Sequence, residues 1–219
     1  MLFRSMIEEF SKLIGFYIVY RRGSINSPTD AFVIAGYIGI GFMLFEDYAY
    51  AVSSSDPIYT LVTRGIFSAF AHTLFSGIGA AIMFVLWEKL GFSGVAVGFI
   101  CSYLIHFSWN SILQLNLAYT HPIIHIILYA IDPPLFMLIF AIFLRRSEAR
   151  LILGSSESFI SSGQIDRETV LQIIDRKKRR EALKMAPTRR DRILYKLYLQ
   201  ELAAHFLAYA PKKKNLPLD

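Results

Sequence analysis

Five long apolar segments, separated by short polar breaks, constrain the fold of this chain more than any other feature. The last four reach or exceed the ~20 residues that a helix needs to cross the ~30 Å hydrocarbon core of a bilayer. The segments cover residues 2–20, 30–52, 60–87, 93–117 and 122–144. We therefore predict an all-α fold: a polytopic membrane helical bundle with about five transmembrane segments and a small cytoplasmic helical tail.

Composition supports this class and excludes several others. The chain is 54% hydrophobic and only 18% charged, with a mean hydropathy of +0.44. A disordered chain, a coiled coil and a collagen do not have such a composition. The single cysteine, Cys101, excludes an internal disulfide and a zinc finger. An integral membrane protein remains.

The charge is distributed very unevenly along the chain. Residues 1–144 contain six Lys/Arg and eight Asp/Glu, a net charge of −2, whereas the remainder contains seventeen and nine, a net charge of +8. We predict a transmembrane domain over 1–145, a Ser/Gly-containing linker over 146–165, and a basic helical hairpin over 166–219. In the hairpin, Asp166 and Thr188 are the expected N-caps of its two helices, and Pro187 separates them.

The distribution of Lys and Arg among the loops predicts the orientation. Arg21 and Arg22 lie in the first loop, Lys89 in the third, and Arg145 begins the tail, whereas the second and fourth loops carry no basic residue. Positive loops remain on the cytoplasmic side. We expect a multi-pass protein of the cell membrane with its N-terminus outside and its C-terminal tail in the cytoplasm.

Ionisable residues inside membrane segments are costly and commonly mark a functional site. With a rise of ~1.5 Å per residue, a polar set from four segments falls near the midplane or in the outer half of the membrane. His106 and Asn110, four residues apart, share a helix face. The set consists of Glu8, Glu9, Glu46, His72, His106 and Asn110. A common depth predicts that these residues form one site.

Carboxylates beside imidazoles can activate water for attack on a peptide carbonyl, directly or through a metal ion, and an amide can stabilise the oxyanion. Neither a His-Glu-x-x-His nor a Gly-x-Ser-x-Gly motif is present, which disfavours ordinary zincin and serine-hydrolase chemistry. Two alternatives remain open. The polar core is also compatible with a non-catalytic membrane binding or scaffold protein, and with a proton or ion transporter.

Four motifs resemble those of the PrsW family of intramembrane proteases, within the superfamily of CAAX prenyl endopeptidases and Abi proteins. They follow one another in the family's order over residues 6–110. The motifs are Glu8-Glu9-Phe10-Ser11-Lys12, the segment from Asp30 to Glu46-Asp47-Tyr48, Arg64 with His72, and His106 with Asn110. Asp47 stands where the family usually has Asn. Because members usually carry further helices before the first motif, the chain is expected to be a fragment or a shortened member.

The resemblance implies a transmembrane protease-like domain that cleaves a membrane-anchored, anti-sigma-factor-like protein near the extracytoplasmic side. Such enzymes are described as metallopeptidases or as glutamate-dependent. The catalytic set that it implies is Glu8, Glu9, Glu46, His72, His106 and Asn110, with Lys12, Asp30, Asp47 and Arg64 in support. If a metal is used, Zn²⁺ with His72, His106 and Glu46 as ligands is expected.

The basic tail suggests a further partner. The run Arg176-Lys177-Lys178-Arg179-Arg180 can meet anionic lipid headgroups or can be a solvated surface. Nucleic acid is not expected as a partner, because the tail has no aromatic platform and no recognised binding motif.

Overall fold

The computed structural model describes residues 2–22, 25–114 and 131–213. In these residues the chain forms α-helices and no strand, which confirms the predicted all-α fold. The helices are α1 (Leu2–Arg21), α2 (Pro28–Val52), α3 (Pro57–Leu90), α4 (Phe92–Gln114), α5 (Asp132–Ser161), α6 (Arg167–Ile174), α7 (Arg176–Met185) and α8 (Arg189–Lys213).

Three helices in the described part of the chain are long and apolar enough to cross a membrane. Their spans are Pro28–Val52, Phe70–Trp87 and Phe92–Ile112. The predicted count of about five is therefore only approximate. The first segment carries too much charge along its length, and Arg145 and Arg146 interrupt the apolar part of α5. The predicted break between segments four and five lies outside the described residues.

The chain divides into two compact units, Met1–Leu144 and Arg145–Asp219. Most of the segment predicted as a linker is instead helical, since α5 continues to Ser161. Serine hydroxyls in this stretch bond back to the carbonyls of the preceding turn, as Ser155 does to Leu151 at 2.8 Å. These bonds satisfy the polar side chains without ending the helix.

The helices of the first unit begin and end where the sequence supplies the right residues. Ser27 caps α2 by accepting from the amide of Asp30, and Asp56 caps α3 in the same way through Tyr59. A proline follows each cap at the first helical position, where its missing N–H costs nothing. Gly91, at φ 54°, closes α3 and allows the short connection to α4.

Close backbone approach fixes the register between α2 and α3. A Cβ built on Gly39 would lie 2.6 Å from the carbonyl oxygen of His72, so only glycine fits there. Phe32 of α2 packs against Gly77 of α3, which makes the two helices antiparallel. This register brings the side chain of Glu46 on α2 within reach of both Arg64 and His72 on α3.

We expect Gly39→Ala to destabilise the first unit by about 1–3 kcal/mol, because the added methyl group forces α2 away from α3. Thermal unfolding of the full chain in detergent measures the effect. Gly41→Ala is the matched control, since no atom lies within 4 Å of its added Cβ. Equal transition temperatures for the two variants would show that the close approach does not matter.

The second unit has its own apolar core. Ile152 and Phe159 of α5 pack with Val170 and Ile173 of α6 and with Phe206 of α8. Asp166 caps α6, as predicted, whereas the first helix of the predicted hairpin is divided at Asp175, which caps α7. No described residue of α7 is buried, so this helix adds basic side chains to the surface of the unit and takes no part in its apolar core.

The Asp166 cap should respond to pH. Hydrogen bonds from the hydroxyl and amide of Thr169 lower the pKa of Asp166 below its usual value of 3.8. Its contribution is therefore present above the unfolded-state pKa and is lost as the pH falls through the folded-state value. We expect Asp166→Ala to cost about 1 kcal/mol at neutral pH, seen as faster amide exchange in α6. Asp166→Asn should keep the cap but lose its pH dependence.

Candidate active site

The predicted site residues come together where α1, α2, α3 and α4 meet. Glu8, Glu9 and Lys12 of α1 are buried, as are His72 of α3 and His106 of α4. The two imidazole rings lie 5.3 Å apart between centroids. Phe75 stacks on the ring of His106 at 5.0 Å and gives the imidazole an apolar support.

Glu9 is the most fully bonded carboxylate of the site. Its Oε1 accepts from the ammonium of Lys12 and contacts Nδ1 of His106, both at 2.7 Å. Its Oε2 accepts from the hydroxyl of Ser102 at 2.5 Å, and the hydroxyl of Ser76 lies 3.5 Å away. A carboxylate with both oxygens engaged holds its neighbours in place.

The hydrogen-bond network assigns different tautomers to the two histidines. An ionised carboxylate only accepts, so Nδ1 of His106 donates to Glu9, and in a neutral His106 ring Nε2 keeps a free lone pair. The ammonium of Lys12 only donates, and it lies 3.0 Å from Nδ1 of His72. The proton of a neutral His72 is therefore on Nε2. One histidine presents a lone pair and the other an N–H.

Glu8 and Glu46 each keep one buried oxygen without a hydrogen-bond partner among the described residues, the Oε2 atom in both cases. Oε2 of Glu8 lies 3.5 Å from Nε2 of His106, and Oε2 of Glu46 lies 3.4 Å from Nε2 of His72. Leaving a buried acceptor unsatisfied costs about 1–3 kcal/mol, and such atoms commonly mark a functional site. These two oxygens are therefore where an exogenous group would be bound.

Two arginines neutralise the carboxylates at the other edge of the site. Arg4 donates to Glu8 at 2.8 Å and also to Glu46 and the hydroxyl of Tyr50. Arg64 pairs with Asp47 at 2.8 Å and lies 3.5 Å from Glu46. The negative charge of Asp47 is thus balanced by Arg64.

Two predicted residues lie at the margin or outside this cluster. Asn110 is half-buried and donates to the hydroxyl of Ser5 at 3.1 Å, one turn from His106. Asp30 closes the N-terminal turn of α2 by accepting from the amide of Asn26. Its contact is local to the cap, so it does not join the carboxylates of the cluster.

Sequence reasoning missed Arg4, Ser102 and Ser76. Helix spacing could have found all three, because Arg4 precedes Glu8 by one turn and Ser102 precedes His106 by one turn. Ser76 also follows His72 by one turn. What spacing could not show is that Ser102 and Ser76 approach the same carboxylate from two helices.

No group of three or more His, Cys, Asp or Glu side chains is arranged as a metal site within the described residues. The chemical types of the donor atoms nevertheless suit a metal ion. Nε2 of His106 offers a lone pair, and the two unpartnered oxygens of Glu8 and Glu46 are carboxylate ligands. Ligands of a tetrahedral ion with bonds of about 2.0–2.1 Å are about 3.3 Å apart, close to the observed 3.5 Å between Glu8 and His106.

A membrane helical bundle with a buried cluster of glutamates and histidines is typical of an intramembrane hydrolase. The family model described as PrsW family intramembrane metalloprotease matches residues 1–143. The chain therefore belongs to the PrsW family and is an intramembrane peptidase. Neither the curated proteins nor the solved structures contain a significant match to it.

Proposed function

We propose that the peptidase hydrolyses its substrate with water activated by the carboxylate pair Glu8 and Glu46. The observation that carries this proposal is the pair of buried, unpartnered Oε2 atoms, one on each residue. Arg4 bonds the opposite oxygen of both side chains and so keeps the free oxygens turned towards the histidines. A water molecule in contact with these oxygens transfers a proton to the pair as it attacks the scissile carbonyl, and the pair returns that proton to the amide nitrogen as the C–N bond breaks and the amine leaves.

His72 and His106 have different roles in this proposal. His72 presents its Nε2–H, held in that tautomer by Lys12, and donates to the oxyanion that develops on the carbonyl oxygen. His106 is oriented by Glu9, which makes Glu9 a positioning residue. Asn110, tied to Ser5, stabilises the same region of α4.

We further propose that Zn²⁺ is the ion of this family site, held by Nε2 of His106 and the Oε2 atoms of Glu8 and Glu46. When bound, the ion would supply Lewis-acid polarisation and lower the pKa of the same water, so that the two carboxylates would act through the ion as its ligands and not as a free base. His72 is not included, although the sequence suggested it as a ligand, because Lys12 occupies its Nδ1 and leaves the proton on Nε2.

This ligand set predicts different metal contents for the two histidine variants. Purified His106→Ala should lose most of its bound zinc, because it lacks one of the three ligands. His72→Ala should keep the metal and lose peptidase activity. Elemental analysis of detergent-purified protein after dialysis measures both. Loss of zinc from both variants would make His72 a ligand, and zinc retained by both would refute the proposed site.

The proposed substrate is a membrane-anchored protein with a single span, cut near the extracytoplasmic side. This side is supported by the depth expected for the polar residues, which fall near the midplane or in the outer half of the membrane. The test is co-reconstitution of the chain with a single-span anti-sigma-factor-like substrate in liposomes, with the cut mapped by mass spectrometry of both fragments. A cut in the cytoplasmic half would contradict the proposed orientation, and proton flux without any cut would favour the transporter alternative.

We also propose that α7 contacts anionic lipid headgroups. Its residues Arg176, Lys177 and Arg180 are exposed, and none of them forms an ion pair in the described part of the chain. A polybasic segment of this kind gains about 1 kcal/mol per basic residue near an anionic membrane surface.

A further inference from the structure

The second unit contains a cavity that the peptidase chemistry does not use. Its volume is about 500 Å³, within the range of about 300–1,000 Å³ that is usual for small-molecule sites. Helices α5, α6, α7 and α8 all contribute to its walls. Residues of the unit's core, among them Ile152 and Leu199, form an apolar floor.

Three cationic side chains line this cavity: Arg145 from α5, Arg179 from α7 and Lys196 from α8. In the described part of the chain none of the three forms an ion pair, whereas the neighbouring Lys178 is paired with Glu168 at 2.8 Å. Glu148 is the one acidic side chain of the lining. The lining therefore has a net positive charge, and its three cationic groups are not held in ion pairs within the described chain.

The geometry of Arg179 strengthens this observation. One of its guanidinium nitrogens donates to the carbonyl of Ile173 at 3.1 Å, at the end of α6, which anchors the side chain at the cavity wall. The remaining N–H groups have no partner in the described residues. Guanidinium groups that are fixed in this way bind phosphate oxygens with good geometry.

We propose that this cavity is a binding site for a phosphate-bearing ligand, with the phosphate held by Arg145, Arg179 and Lys196 and the rest of the ligand lying on the apolar floor. Two sources offer this chemistry: an anionic phospholipid headgroup and a soluble phosphate ester. Arg145 directly follows the apolar segment that ends at Leu144, and such a position is usual for residues that meet lipid headgroups.

The test uses the full chain purified in a neutral detergent and isothermal titration with three probes. These are dihexanoyl-phosphatidylglycerol, glycerol 3-phosphate and the zwitterionic dihexanoyl-phosphatidylcholine. We expect at least one anionic probe to bind with an affinity well above that of phosphatidylcholine. Binding of phosphatidylglycerol alone identifies a lipid headgroup as the source, and binding of glycerol 3-phosphate identifies a soluble ester.

The double variant Arg145→Gln/Lys196→Gln should weaken that binding by roughly tenfold or more, because two charge-assisted contacts are lost. The matched control is Arg189→Gln/Arg190→Gln, which removes the same charge from exposed positions outside the cavity and should change affinity by less than about twofold. Unchanged circular dichroism shows that both variants are folded. The proposal would be overturned if neither anionic probe binds, or if the two double variants lose affinity equally. Neither outcome depends on peptidase activity.

Discussion

Glu8→Gln is expected to reduce kcat for substrate cleavage by about 10²–10⁴-fold while leaving the stability of the bundle nearly unchanged. A glutamine keeps the shape of the side chain and an oxygen that can accept from Arg4, which bonds Glu8 at 2.8 Å. It removes the free carboxylate oxygen that faces His106. The size of the loss is that of a general base. Initial rates with a reconstituted single-span substrate, together with thermal unfolding, measure both properties.

Glu157→Gln, at an exposed position of α5, is the matched control and should retain the activity of the wild type.

Glu9→Gln distinguishes the role of Glu9 from that of Glu8, its neighbour in the first motif. Because Glu9 accepts from Lys12 and Ser102 and orients His106, this variant should lose stability as well as activity. If Glu8→Gln cleaves at the wild-type rate and Glu9→Gln is inactive but stable, the roles given to the two residues are reversed.

Lys12→Met should destabilise the first unit by about 3–5 kcal/mol. The side chains of Lys12 and Glu9 are both only 2% exposed and lie 2.7 Å apart. Removing one partner of a buried ion pair leaves an uncompensated buried charge, which is far more costly than the pair itself. The transition temperature of the full chain in detergent should therefore fall markedly.

A second substitution distinguishes this electrostatic cause from simple loss of packing. In Lys12→Met/Glu9→Gln no buried carboxylate is left unpaired at this position, so the double variant should recover much of the lost stability. Lys178→Met breaks the exposed pair with Glu168 and should cost at most about 1 kcal/mol. A double variant no more stable than Lys12→Met would contradict the explanation.

Much of the fold could be predicted because membrane helices depend on local composition. The apolar runs, the caps at Asp56 and Asp166 and the stop at Gly91 all act over a few residues. Local composition did not predict the structure of the segment assigned as a linker. Ser and Gly are common in loops, but a helix also tolerates them when the serine hydroxyls bond to carbonyls of the preceding turn. The number of spans is less directly predictable, because α1 carries several of its charged residues inside the bundle and so does not have the composition of an apolar span.

The candidate site could be predicted as a set of residues but not as an arrangement. Depth along the helices indicated that the glutamates and histidines belong together. It could not show that both oxygens of Glu9 are engaged while Glu8 and Glu46 each keep one free. That difference depends on Lys12, Ser102 and the close approach at Gly39, which are contacts between helices. Single-helix spacing contains no information about such contacts.

The central claim is that the Glu8 and Glu46 pair activates the hydrolytic water. The measurement that tests it most directly is single-turnover cleavage of a reconstituted single-span substrate by the wild type and by Glu8→Gln/Glu46→Gln. We expect a defined cut by the wild type and no product from the double variant, which should still unfold cooperatively. Cleavage by the folded double variant at a comparable rate would contradict it.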